Sequence, residues 1–306
     1  MKWIQIGEGD EAAEDDCKKH GTSMLSLVVG ETVGVAKNAD PIVVRMPCRG
    51  PRDNPGAMQG HEWIRGLGMI NDDLAKKNSE ASGIAPSVVL MASYWLPDQF
   101  PGANGQLQEA NMHGFSLRHK PLLDSLAEKG AILVTGSGNN NRKTVTGEPA
   151  IFGKKPEIVG EFEVPSLLVM GGIHSDGLSI IYGNVEYDAG LPHAYAPGWA
   201  VRAADATVVP DYVGNTQGTS CSAAITAGLA AYYIRLAQLN LIDVETSPQA
   251  IKDFIIKTSW SRGDFEGRPR PGIWNSANVV SPVKEWTPRT PNTKRAAAVF
   301  GREFYA

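Results

Sequence analysis

Four apolar runs without polar alternation constrain this chain more than any other feature: Ile42–Met46, Ser87–Met91, Ala131–Val134 and Ser166–Met170. A strand with one face in water alternates apolar and polar residues, so a continuous run marks a strand covered on both faces. Helical patterns lie between the runs. In Ser116–Lys129, Leu117, Leu122, Leu123 and Leu126 fall largely on one helical face. Buried strands separated by helices predict a mostly parallel, twisted sheet with helices on both faces, a three-layer α/β fold. Ala223–Leu239 is a second predicted helix, and its first half is almost entirely Ala, Gly, Ile and Thr. A helix with no polar face there belongs in the core. A third, Ser247–Lys257, opens with the Ser-Pro signature of a helix start. Beyond Pro282 the chain turns polar and proline-punctuated, from Trp286 to Asn292. The expected organisation is one domain over residues 1–283 and a tail over 284–306.

Charge narrows the class of partner. The 306 residues include 33 acidic and 29 basic side chains, a net charge of −4. That balance lacks the basic excess of a nucleic-acid or anionic-membrane protein. No apolar run approaches the roughly 18 residues that span a bilayer. Met1–Glu8 has no apolar stretch long enough for a signal peptide. Cys17, Cys48 and Cys221 cannot all pair and show no CxxC spacing, so neither a disulfide framework nor a structural zinc is expected. His113 and His119 do not have the i, i+4 spacing of helical metal ligands. No metal, cofactor, nucleic acid or membrane is expected, and the chain reads as a monomer.

Three short segments carry chemistry. Gly218-Thr219-Ser220 leads directly into the small-residue helix. A serine there sits where unpaired backbone N–H groups and the positive dipole end favour a developing anion. Alone, it reads as a helix N-cap. Val134-Thr135-Gly136-Ser137-Gly138-Asn139 puts an asparagine amide at the end of a buried strand, after glycines that permit close approach. Alone, Asn139 reads as a turn residue. His20-Gly21-Thr22 heads an apolar helical run from Met24 to Val29 that ends at Gly30.

In this order the three segments resemble the subtilisin-like serine proteases, peptidase family S8. The resemblance runs from about residue 3 to Pro282. His20–Met46 is similar to the family's histidine helix, its Gly-Val-Ala loop and the next strand, and Ala196-Pro197-Gly198 to the loop ahead of the nucleophile. Gly218–Gly228 is similar to the serine block, and Ser247–Val279 to the closing helix and the Gly-x-x-Asn segment at Gly272. What the resemblance implies is a subtilisin-like fold and a serine endopeptidase acting on peptides or proteins. Ser220 would attack the scissile carbonyl, with His20 as base and then acid. Asn139 would donate its amide to the oxyanion beside the Ser220 N–H. Ser93, within Ala92-Ser93-Tyr94, and Gly136-Ser137-Gly138 would hold substrate as an extended strand. Most relatives are secreted; the compartment of this chain is left unassigned.

The departures from the family pattern are specific. Ala224 replaces a proline, Lys19 a glycine, and Tyr94-Trp95 a small stretch that lines the groove. His20 and Asn139 are 119 positions apart, and Asn139 and Ser220 are 81 apart. In subtilisin these separations are roughly 91 and 66, so insertions are expected at Pro47–Gln59 and Asn140–Glu161. The triad acid precedes the histidine by roughly 30 positions in subtilisin, whereas 19 residues precede His20 here. Trp3–Ile6 resembles the strand after the acid, and Asp15-Asp16 reads as a solvated turn or cap. Glu8 and Asp10 are the remaining alternatives, and no aspartate is assigned. The expectation is that the first core strand, with its Asp-x-Gly, is missing from this sequence, leaving it poorly stable and nearly inactive. A catalytically inactive relative that binds peptides through the inherited groove is the alternative function. A nucleotide-binding protein is the third reading, weak because Gly7-Glu8-Gly9 and Gly66-Leu67-Gly68 do not continue as GxGxxG.

Overall fold

A computed structural model describes residues 2–5, 20–45, 60–92, 106–174, 183–204, 213–265 and 268–273. Six strands form the main sheet, in the order β3 (Ser87–Met91), β4 (Ala131–Gly136), β5 (Leu167–Ile173), β6 (Ala194–Pro197), β10 (Arg268–Gly272) and β9 (Trp260–Phe265). Pairing is parallel from β3 through β6 to β10, and antiparallel only between β10 and β9. A separate parallel pair joins β1 (Lys2–Gln5) to β2 (Ile42–Arg45), with Trp3 opposite Val43. The third sheet is an antiparallel hairpin of β7 (Val201–Ala204) and β8 (Val213–Thr216).

The unalternating runs become strands covered on both faces, as their composition requires. Every residue of β4 and of β5 is buried. Successive side chains point to opposite faces, and each face has its own helical cover. Ile132, Val134, Leu168 and Met170 pack with α5 (Thr219–Gln238) and α6 (Pro248–Thr258) through Ala223, Ala227, Tyr233, Ile251 and Ile255. Leu133, Leu167 and Val169 pack with α2 (Gly60–Glu80) and α3 (Gln106–Glu128) through Trp63, Leu67, Leu74, Leu123 and Leu126. This is the expected three-layer α/β architecture with helices on both faces.

Helix α5 is the core helix that its small residues predict. Fourteen of its residues are buried, including Ala223, Ala224, Ala227 and Ala230. Large side chains begin only at its far half, where Tyr233 packs edge-on against Phe254 of α6. Ser247 caps α6, accepting the Ala250 N–H at 3.3 Å, with Pro248 at its first position. Helix α3 is longer than its leucine pattern suggests, starting at Gln106 and passing through Pro121. Helix α2 is not read in the sequence at all. Gly66-Leu67-Gly68 lies inside it, which removes the phosphate-loop reading of that triplet.

The expected insertion at 140–161 is largely ordered into short turns: 3₁₀ segments at Ala150–Gly153 and Gly160–Phe162, with α4 (Pro156–Val159) between them. Phe152 is buried within it, so the segment is part of the core rather than a surface flap. Pro47–Gln59, the acidic residues Glu8, Asp10, Asp15 and Asp16, and the tail at 284–306 lie outside the described residues.

Candidate active site

The site forms where β4 and α5 meet at the C-terminal end of the parallel strands. Gly218 caps α5 with φ 128°, a conformation that L side chains rarely adopt. Its N–H donates to the Gly198 carbonyl at 2.8 Å, tying the Ala196-Pro197-Gly198 loop to the helix start. Thr219 follows, buried, and Ser220 is half-buried in the first turn. Ser220 therefore lies one step inside the helix, not at the cap. Ser222, two residues further in, donates to the Ala196 carbonyl at 3.0 Å and anchors α5 to the end of β6.

Asn139 reaches the same point from the strand side. Its Oδ1 accepts the Thr219 N–H at 2.8 Å and the Thr219 hydroxyl at 3.1 Å. The same hydroxyl accepts the Gly138 N–H at 3.2 Å. With Oδ1 held this way, Nδ2 is left beside Gly218, 3.2 Å from where a Cβ on that glycine would lie. Asn139 is exposed, and Nδ2 has no partner among the described residues. Gly136 makes this contact possible, because a Cβ there would lie 2.6 Å from Thr219 Oγ1. Together these groups present an outward-facing amide donor beside the N-terminus of a buried helix, an arrangement suited to a transient anion.

His20 is the first residue of α1 (His20–Val29) and is exposed. Helix α1 is pinned from one side by β7: Ser23 Oγ donates to the Ala204 carbonyl at 2.8 Å, and the Ala204 N–H donates to Ser26 Oγ at 2.9 Å. On the other side it packs against α5. Met24 and Leu27 share a cluster with Cys221 and Ala224, while the Val28 carbonyl faces Gly228 further along. Early residues of one helix meet early residues of the other, so the two run in the same sense. His20 precedes Met24 by one turn and Ser220 precedes Ala224 by one turn. The packing thus puts both helix starts, with His20 and Ser220, at the same end of the helix pair.

Three other reactive side chains are committed elsewhere. Cys221 is fully buried in the α1–α5 seam, and burial pushes its thiol pKa up despite a contact with Thr216 Oγ1 at 3.9 Å. His119 is enclosed: Trp63 Nε1–H donates to its Nε2 at 3.0 Å, and its Nδ1–H donates to Glu148 at 2.6 Å. Burial, with the Lys252 charge adding to it, pushes the His193 pKa down to about 3. Its neutral ring accepts the Val169 N–H at 3.0 Å. Among the described residues, no group of three or more His, Cys, Asp or Glu could hold a metal ion.

Of the expected substrate-holding residues, Ser93 lies outside the described residues. Gly136, Ser137 and Gly138 are buried beside Asn139. The Ser137 N–H donates to the Met170 carbonyl at 2.9 Å. Gly138 uses its N–H on Thr219 and its carbonyl on the Asn184 N–H. These three backbone groups are engaged within the protein, and the segment forms a wall beside Asn139. The reason is the continuation of the β4–β5 ladder past Gly136.

A parallel sheet covered by helices, with an asparagine and a serine helix-start at its C-terminal edge, is a three-layer α/β scaffold. The subtilase family profile (peptidase S8) matches residues 5–296, and the chain belongs to that family. It is 27% identical to Subtilisin-like protease 7 of Trichophyton equinum over 239 residues, covering 75% of this chain and 47% of the relative. Identity to Subtilisin-like protease 6 of Arthroderma gypseum is 25% over 227 residues, covering 74% and 45%. The chain spans less than half the length of these relatives. Among solved structures it is similar to a cold adapted subtilisin-like serine proteinase, with TM-score 0.55 and 19% identity over 90% of this chain and 82% of that one. It is also similar to the Patellamide maturation protease PatA, with TM-score 0.58 and 14% identity over 90% and 87%. At these identities the likeness is one of fold. No described helix is long and apolar enough to cross a membrane.

Proposed function

We propose that this chain is a serine endopeptidase in which Ser220 is the nucleophile, His20 its general base and acid, and Asn139 the oxyanion donor. The observation that carries the proposal is the fixed orientation of Asn139. Its oxygen is held by Thr219 and its nitrogen is left for a ligand. A donor aligned before the charge forms needs no reorganisation when the tetrahedral intermediate appears. The expected substrate is a peptide or protein, lying along the wall formed by Gly136, Ser137 and Gly138 and along Ser93.

Labelling with an active-site-directed fluorophosphonate, followed by mass mapping, tests the nucleophile. Ser220 is expected to carry the label and Cys221, enclosed in the α1–α5 seam, to stay unmodified. A label on another serine overturns the assignment. No label, together with measurable binding of a peptide, makes the chain a peptide-binding relative instead.

Helix packing makes a second outcome testable. A Cβ on Gly228 would lie 2.8 Å from Val35 Cβ, closer than packed atoms tolerate, and 3.3 Å from the Val28 carbonyl, a tight contact. Gly228→Ala is therefore expected to push α1 off α5, at an overpacking cost of about 1–3 kcal/mol. His20 moves with α1, and a displacement near 1 Å in a catalytic group lowers turnover by up to about 10²-fold. Adding Val35→Gly removes the obstructing Cβ and should recover turnover. Melting temperature and kcat/KM of the single and double variants are the measurements. Parent-like turnover in Gly228→Ala would show that this contact does not set the position of His20.

A further inference from the structure

We propose that Asn184 is a positioning residue that clamps the segment 138–142 and so fixes where Asn139 presents its amide. The inference rests on the reading of Asn139 as the oxyanion donor. Asn184 bonds to the residues on both sides of Asn139. Its backbone N–H donates to the Gly138 carbonyl at 2.9 Å. Its side-chain Oδ1 accepts the Asn140 N–H at 3.0 Å and the Arg142 N–H at 3.1 Å. The next residue extends the clamp, with the Val185 N–H donating to the Arg142 carbonyl at 3.0 Å. Asn184 is only 3% exposed, so its own amide is shielded from water.

The geometry explains why an amide oxygen is needed there. Asn141 has a positive φ of 54°, which turns the chain so that the N–H groups of residues 140 and 142 converge on one acceptor. A single sp² oxygen with two lone pairs serves both. Its Nδ2 sits 2.6 Å from where a Cβ on Gly138 would be, so the clamp closes only over a glycine. Asn139 is thus held twice, through its side chain by Thr219 on α5 and through its backbone neighbours by Asn184. Removing the Asn184 amide strips the N–H groups of two half-buried residues of their partner and releases the second hold, without touching Ser220 or His20.

The test compares the parent with Asn184→Leu, which keeps the branched heavy-atom shape and loses the acceptor, and Asn184→Asp, which keeps the acceptor. Amide hydrogen exchange at residues 138–142 reads the clamp directly and does not depend on turnover. Asn184→Leu is expected to speed exchange there by about tenfold or more, and to lower kcat by about 10–10²-fold with KM within about twofold. Asn184→Asp should restore both, and the Asn139→Leu/Asn184→Leu double variant should be no slower than Asn139→Leu alone. If Asn184→Leu does not fold, Asn184→Ala, which adds no volume, gives the same two readings. Parent-like exchange in the Leu or Ala variant, or a failure of Asn184→Asp to restore it, overturns the proposal. Faster exchange, rescued by Asp, with kcat insensitive to both Asn184 and Asn139, leaves the clamp standing and removes the oxyanion assignment.

Discussion

Ser220→Ala and His20→Ala are each expected to lower peptide hydrolysis by about 10⁶-fold where a carboxylate serves His20 and by about 10²-fold where none does, and the double variant by no more than either alone. In subtilisin, losing the nucleophile or the base costs about 2 × 10⁶ in turnover, and the losses do not add. The physical reason is that the two side chains handle one proton. A serine hydroxyl without its base is a weak nucleophile at neutral pH, and an imidazole without the hydroxyl has no proton to accept. His20 and Ser220 each sit one turn before residues, Met24 and Ala224, that pack in one cluster. Hydrolysis of a chromogenic peptide by the two single variants and the double variant decides the matter. Losses that multiply would show that the residues act on separate steps, and parent-like activity in Ser220→Ala would place the nucleophile elsewhere. A residue of about 10³–10⁴ over the uncatalysed rate is expected in all three, because the oxyanion site and substrate binding are left intact.

What could be read from the sequence follows from how local each signal is. Strands β4 and β5 were legible because both of their faces are covered, which demands unbroken apolar runs. Helix α5 was legible because β4, β5, β6 and α1 approach it so closely that its first half is nearly all small residues. The three reactive segments were legible for a related reason: each combines a chemical side chain with glycine or a helix start in a short stretch. Helix α2 was not. Three glycines and the charged stretch Asp72–Lys77 obscure its stripe of Trp63, Leu67, Ile70 and Leu74, spaced by four, three and four. That spacing, with the Asp73–Lys77 and Lys76–Glu80 pairs at i, i+4, was the signal available to find it.

Asn184 lies at the other extreme. Nothing in Tyr182-Gly183-Asn184-Val185 distinguishes it from a turn asparagine. Its role comes from contacts 42 and 44 positions away, which only the fold brings together. The wall at Gly136–Gly138 shows the same limit from the opposite side. The family resemblance implies a substrate-holding edge there; the Ser137 N–H, the Gly138 N–H and the Gly138 carbonyl are engaged by Met170, Thr219 and Asn184, residues whose proximity no local pattern encodes. Residue types announce chemistry in the sequence; which of their atoms are already engaged is a property of the fold.

The availability of one such atom underlies the remaining large effect. Asn139→Leu is expected to lower kcat by about 10²–10³-fold, or about 2.7–4 kcal/mol, with KM close to the parent's. That is the size found for the oxyanion asparagine of subtilisin. The loss should fall on kcat because the donor meets a full negative charge only in the tetrahedral intermediate and its flanking transition states. Leucine matches asparagine in size but gives up both the Nδ2 donor and the Oδ1 tie to Thr219. Thr219→Val separates these losses. It removes the hydroxyl that bridges Asn139 Oδ1 and the Gly138 N–H, yet keeps the backbone N–H that holds Oδ1 at 2.8 Å. Its effect should therefore be smaller, about tenfold, the result of a loosened donor rather than a missing one. Asn139→Asp goes further than leucine in the other direction: a carboxylate still accepts from Thr219 but turns its second oxygen toward the site, where it repels the oxyanion. The expected order of kcat is Thr219→Val above Asn139→Leu above Asn139→Asp, read from steady-state kinetics with one peptide at one pH. A kcat for Asn139→Leu within about threefold of the parent, less than about 0.7 kcal/mol, would mean that the amide beside Gly218 is not where the charge develops.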